Sequence, residues 1–77
     1  MYYTYILKNS ANELYYGYTK NLKQRLDRHR KNDKKIKLVY YEAYSAETDA
    51  RTRERKLKQY GQSRSHLKKR IKNSLAL

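Results

Sequence analysis

The chain has no cysteine, proline, phenylalanine or tryptophan, and only two glycines among its 77 residues. Without cysteine there can be no disulfide and no thiolate metal site. Without proline or a Gly/Ser-rich linker nothing marks a domain boundary, and no repeat recurs at a fixed period. No apolar run approaches the roughly 18 residues that a spanning helix needs, and no secretory signal with a small-residue cleavage site is visible. These absences predict one domain over residues 1–77, soluble and cytoplasmic, with no membrane partner. A fold this short removes only about 60% of its unfolded surface from water, so its core must be thin.

Acidic residues are scarce as well: 7 Asp and Glu stand against 20 Lys and Arg, a formal net charge of +13. Such a field repels itself in a compact monomer and is best neutralised by a polyanion, with nucleic acid the leading candidate. An anionic membrane surface would compete, but neither basic helix of this sequence has the broad apolar face of Trp, Phe and Leu that interfacial anchoring favours. What is abundant is tyrosine, ten residues within a hydrophobic fraction of 38%. A core of Leu, Ile and Ala roofed with tyrosine predicts a sheet whose aromatic surface is partly wet.

Along the chain, "YYTYILK" (Tyr2 to Lys8) is rich in β-formers, "NSANE" is a turn by composition, and "ELYYG" should return antiparallel. The period of two puts Tyr3, Tyr5 and Leu7 on one face and Tyr2, Thr4 and Ile6 on the other. Thr19 can cap a helix from about Lys20 to Lys31, after which "IKLVYYEAY" reads as a third strand. Ser45 can cap a second helix, "AETDARTRERKLKQY", stopped by Gly61, with Glu47 and Asp49 where its dipole favours negative charge. Ser63 or Ser65 can cap a third, in which Leu67, Ile71 and Leu75 share a face. The order is ββαβαα. Three short strands cannot cover themselves, so an α+β fold follows: a three-stranded antiparallel sheet flanked by three helices.

On the first helix, positions 22, 25, 26 and 29 fall within about a third of the circumference. Leu22 and Leu26 point that arc at the sheet, which draws Arg25 and His29 inward and leaves Lys20, Lys23, Arg28 and Lys31 freer. Arg25 snorkelling along the core edge and His29 as a satisfied interior imidazole is the plain alternative. Gly17, ending the preceding strand, either serves a turn or lets a phosphate approach the backbone. On the second helix Glu54 is the one carboxylate among the basic residues from Arg51 to Lys58. It either pairs with Lys58 one turn on or serves a divalent ion, since magnesium often takes only one or two protein carboxylates and completes its shell with water and phosphate oxygens. The tyrosines either pack the sheet or form a stacking platform for bases. A tyrosine at its ordinary pKa near 10 is a poor base at neutral pH, so a catalytic role needs help from a neighbouring cation or imidazole.

Taken in order, these residues resemble the GIY-YIG nuclease family, in particular its small bacterial members. Tyr3-Thr4-Tyr5 corresponds to the first family tripeptide and Tyr15-Tyr16-Gly17 to the second, about ten residues on. Thr19, Asn21-Leu22, Arg25-Leu26 and His29 follow the downstream pattern, and Glu54 in "ARTRERKLK" matches the metal-binding glutamate. The resemblance covers Tyr2 to about Ile71. It implies a metal-dependent endonuclease that hydrolyses DNA phosphodiesters with one magnesium or manganese ion, held by Glu54, and that takes no small-molecule substrate. Arg25 would neutralise charge on the phosphate oxygens, Tyr5 would act as general base or position the water, and Tyr15 and His29 would order the same network. Gly17, Lys20, Lys23, Arg28, Arg51 and Arg53 are the expected nucleic-acid contacts.

Thr4 and Tyr16 replace the isoleucines of the family name and Tyr3 the first glycine. The loop from Asn32 to Lys37 is short, and Gln62 stands where related small proteins often carry tryptophan. These changes bear on substrate contacts and stability more than on chemistry. With so little chain outside the core, the expectation is weak sequence preference and recognition of single-stranded or structured DNA, with repair among the cellular roles left open. A non-catalytic nucleic-acid-binding module is the alternative; it would lock Arg25 and Glu54 in an ion pair.

Overall fold

The computed structural model describes residues 1–77 and consists of three strands and four helices: β1 (Tyr2–Lys8), β2 (Leu14–Thr19), α1 (Leu22–Asn32), β3 (Lys37–Tyr44), α2 (Glu47–Gln59), α3 (Gly61–Arg70) and α4 (Lys72–Ala76). The sheet is antiparallel throughout, in the order β2-β1-β3, so the strand met first in the sequence is the central one. This is the α+β arrangement expected from the sequence, with the last helix divided in two.

The hairpin turn is built by Asn9, whose side-chain carbonyl accepts from the amides of Ala11 (2.9 Å) and Glu13 (2.8 Å). Asn12 supplies the positive φ, 63°, that the turn requires and that asparagine tolerates better than most residues. Gly17 then lies directly opposite Tyr5, and Tyr15 opposite Leu7.

Alternation along β1 gives the molecule three layers. Tyr5, Leu7 and Ile36 form one core cluster, on which Leu22 and Leu26 of α1 pack. Ile6 forms another with Leu57 of α2 and Leu67 of α3 on the opposite face. Thr4, on that second face, is fully buried and donates its hydroxyl to the Ala50 carbonyl of α2 at 2.7 Å. Helix α1 thus covers one side of the sheet, and α2 with α3 the other.

Helix boundaries differ from expectation, each for a visible reason. Asn21 caps α1, its side chain accepting from the Gln24 amide at 3.0 Å. Thr19 is buried two residues earlier, and its hydroxyl accepts from the Asn21 amide at 3.1 Å, so it braces the cap rather than forming it. Ala46 occupies the cap position of α2 and has no side-chain acceptor to offer, while the Ser45 hydroxyl before it faces Met1. Gly61 does not end α2: the break is the extended backbone of Tyr60, and Gly61 opens α3 with no positive φ. The carbonyls left at the end of α2 are satisfied by Arg64, which donates to Leu57 and Lys58 at 2.8 Å each. Neither Ser63 nor Ser65 caps α3, and the final helix breaks at Ile71. No helix is long and apolar enough to cross a membrane.

Candidate active site

β2 is an edge strand, and Tyr5, Tyr15 and His29 gather beside it. Tyr5 is 3% exposed, and its ring lies across Gly17 on the neighbouring strand. A Cβ on residue 17 would collide with the ring's Cζ and hydroxyl. The space that the missing side chain opens is therefore filled by tyrosine. Glycine is needed there to seat Tyr5.

The four residues of the inward arc of α1, Leu22, Arg25, Leu26 and His29, are each partly buried. The two leucines enter the core, and His29 reaches Tyr5 and Tyr15. Its ring is edge-on to Tyr5 with centroids 6.3 Å apart, and tilted by 39° to Tyr15 at 6.4 Å. Tyr15 is half exposed, and with His29, Asn9, Asn32, Asp33 and Ile36 it lines a hollow of about 190 Å³. Arg25 sits one turn before His29 and has no carboxylate within 4 Å, since all four ion pairs of the molecule involve other residues.

Tyrosines elsewhere are tied to carboxylates. Tyr18 donates to Glu47, and Tyr40 (2.7 Å) and Tyr44 donate to Glu42. Burial, followed by the hydrogen bond to Glu42 and its charge, pushes the Tyr40 and Tyr44 hydroxyls up to about 12. Burial also works against the Glu42 carboxylate. The bonds from Tyr44, Tyr40 and Arg53 outweigh it and hold the carboxyl below its usual range. Tyr16 has a buried hydroxyl without a partner, packed against the cluster of Ile6 and Leu57.

Helix α2 carries the remaining candidates. Arg53 is turned to β3, its Nε donating to both oxygens of Glu42 at 3.0 and 3.2 Å. This ion pair helps to hold α2 to the sheet. Glu47, on the other flank of α2, takes the Tyr18 hydroxyl of β2. Glu54, seven residues later, falls within about 20° of Glu47 around the helix and so looks to the β2 side. It is partly buried and pairs with Lys58 at 3.1 Å, the plain alternative foreseen for it. The locked Arg25–Glu54 pair expected of a purely binding module does not occur.

Tyr5, Tyr15, Arg25 and His29 therefore occupy the α1 layer, while Glu54 belongs to α2 on the opposite face of the sheet and lines neither the hollow of Arg25 nor that of Tyr15 and His29. The two layers meet at the end of β2. There Lys20, Arg25, Arg28 and Arg51 line one hollow of about 410 Å³ together with Tyr18, Asn21 and Gln24, a convergence not foreseen from the sequence. Lys23 and Arg28 line a second hollow on the outer face of α1, about 470 Å³, with Lys31 and Asp27. Lys20, Arg28 and Arg51 are expected nucleic-acid contacts from the sequence, but only the fold shows that they share one hollow.

The donor set bears on a metal ion. No three His, Cys, Asp or Glu groups come together anywhere in the chain, so the fold offers no cage of protein ligands. Among the residues matching the family pattern the one carboxylate is Glu54, whose partner is a lysine with a 55% exposed side chain, free to swing away. One carboxylate with water and phosphate oxygens is a donor set that magnesium accepts.

Comparison with known proteins adds a family. The family model for the GIY-YIG catalytic domain matches residues 1–68. The chain is similar to a UPF0213 protein of Pediococcus pentosaceus, with 34% identity over 84 residues covering 99% of this chain and 87% of the relative. It is also similar to a UPF0213 protein from the ldhD 5' region of Pediococcus acidilactici, 35% identical, covering 95% of this chain and 83% of that one. A UPF0213 protein of Staphylococcus haemolyticus is 35% identical over 66 residues, 75% of this chain and 80% of its own. No solved structure matches the chain.

Proposed function

Because this chain belongs to the GIY-YIG family, whose catalytic domain spans residues 1–68, we propose that it is a metal-dependent endonuclease hydrolysing DNA phosphodiester bonds. The observation that carries this reading is the set of polar groups left without protein partners around Tyr5. The Tyr18, Tyr40 and Tyr44 hydroxyls are bonded to carboxylates, whereas those of Tyr5 and Tyr15 bond to no side chain, and Arg25 lacks a carboxylate beside it. With no protein partner, these groups are free to meet a phosphate and a water at the β2 edge.

In the proposed reaction a water attacks phosphorus and gives up a proton to a nearby base, the bond to the sugar oxygen breaks, and that oxygen leaves as a hydroxyl after taking a proton from solvent. Arg25 hydrogen-bonds the non-bridging oxygens, where charge builds, and can do so bidentately. The Tyr5 hydroxyl holds the attacking water at the β2 edge, and its ring is fixed in turn by Gly17 beneath it and His29 against its edge. His29 is the nearest group of a type that commonly takes a proton in hydrolysis, and Tyr15 shares its hollow. Glu54 would hold the divalent ion, magnesium or manganese, one per site, which when bound supplies Lewis-acid stabilisation of the phosphate.

For the substrate we propose single-stranded or structured DNA with little sequence preference. The cations aimed at the site address phosphates, which carry no sequence information directly. Exposed Tyr15 and Tyr41 offer faces for unpaired bases. A small nuclease of this kind fits a cytoplasmic role in DNA processing such as repair. The test is a panel of end-labelled single-stranded, duplex, flap and junction DNAs with magnesium, with manganese and with chelator. Scission of the single-stranded or branched forms that stops with chelator supports the reading. Absence of scission of every form with either metal refutes it.

A further inference from the structure

The hollow where α1, α2 and the end of β2 meet is more basic than one scissile phosphate requires. Its volume is about 410 Å³, and Lys20, Arg25, Arg28 and Arg51 line it with no carboxylate among the lining residues. Arg25 and Arg28 have no ion-pair partner. Lys20 and Arg51 share a single acid, Glu47, at 3.9 and 3.6 Å, and that acid also accepts the Tyr18 hydroxyl. Four positive charges from three elements therefore face one cavity with one negative charge beside it. Such a cluster repels itself unless an anion sits among them.

The cavity is also held in shape. The Arg51 guanidinium stacks on the Tyr18 ring, 4.8 Å from its centroid, while Glu47 anchors it from its own helix. Neutral donors line the same space, in the side chains of Asn21 and Gln24. Tyr5, Tyr15 and His29 do not line it, and Arg25 is the one residue it shares with the proposed catalytic cluster.

We propose that this hollow seats a second phosphate group of the bound strand, distinct from the one that is cut, with Arg28 and Arg51 as its principal ligands and Lys20 as its outer rim. A strand gripped at two phosphates on either side of Arg25 is fixed in direction across the β2 edge. The identity of the polymer rests on the nuclease reading; the seat itself does not. Its phosphate can belong to an internal diester or to a strand terminus, where the monoester dianion would meet the excess of positive charge better.

Metal-free measurements separate the two questions. Titrating inorganic phosphate into labelled protein should shift the amide resonances of Lys20, Asn21, Gln24, Arg28 and Arg51 in the NMR spectrum. Arg28→Gln and Arg51→Gln should each weaken binding of a fluorescent single-stranded oligonucleotide about tenfold, as loss of a charge-assisted contact implies. Lys69→Gln, removing an exposed charge on α3, should change it less than about twofold. Matched oligonucleotides with and without terminal phosphate identify the source: a gap between them that Arg51→Gln removes assigns the seat to a terminus, and equal binding by both assigns it to a diester. Phosphate shifts confined to other residues, or variants no weaker than Lys69→Gln, overturn the proposal. Binding as expected with no cleavage by any metal would instead refute the nuclease reading and leave the seat standing.

Discussion

The ring of Tyr5 occupies the volume that a side chain at Gly17 would need, so the two residues, paired across adjacent strands, are a single steric unit. Gly17→Ala should therefore destabilise the fold by about 1–3 kcal/mol, as overpacking does. In a domain of this size that lowers Tm by about 4–8 °C per kcal/mol. In a Tyr5→Ala background, where the ring is gone, the same substitution should cost much less, and a thermal-melt double-mutant cycle measures the difference. Equal costs in both backgrounds would mean that the glycine serves the backbone alone.

Glu42 joins β3 to α2 through Arg53, and it also receives two tyrosine hydroxyls. Its side chain is only 16% exposed, so Glu42→Ala should cost about 1–3 kcal/mol by stranding these donors. Arg53→Ala should cost less, because Tyr40 and Tyr44 still satisfy the carboxylate. Chemical denaturation of the two variants checks the order.

The same cluster sets a pH profile. The Glu42 carboxyl is held below its usual range in the fold, so its stabilisation is present above the unfolded value near 4.3 and is lost as pH falls through the folded value. The Tyr40 and Tyr44 hydroxyls, raised to about 12, stabilise the fold below the unfolded value near 10. That contribution disappears as pH rises from there to about 12. Stability should thus be level between about pH 5 and 10 and fall on both sides, and Glu42→Gln should flatten the acid limb. An unchanged acid limb in that variant would place the sensitivity elsewhere.

Sequence patterning carried the element order and the sheet faces, because both follow from periodicity: Tyr5 and Leu7 face α1, and Thr4 and Ile6 face α2. Helix ends were less legible. Thr19 and Ser45 are both good cap residues by type, but the chain enters each helix later, at Asn21 and Ala46. Gly61 reads as a terminator locally, yet Arg64 satisfies the end of α2, and the glycine begins the next helix. In the site, the neighbourhood of His29 with Tyr5 and Tyr15 follows from the helix arc and strand pairing together. The partner of Arg53 and the reason for Gly17 do not, because each depends on a contact across elements that no local pattern encodes.

The Glu54–Lys58 pair yields a prediction about metal dependence. A lysine 3.1 Å from the carboxylate competes with a cation for it. Lys58→Ala should lower the magnesium concentration for half-maximal cleavage, while stability changes by no more than about 0.5 kcal/mol, as for a pair one turn apart whose lysine is exposed. Titrating magnesium against cleavage for both proteins tests this, and a higher requirement in the variant would contradict it.

Whether Glu54 takes part in the chemistry is decided most directly by comparing wild type and Glu54→Gln on the same labelled single-stranded and branched DNAs, measuring scission with magnesium and affinity by fluorescence anisotropy. Scission should be lost while affinity stays within about twofold, since one neutral substitution leaves the basic residues of α1 and α2 in place. Undiminished scission by Glu54→Gln would contradict it.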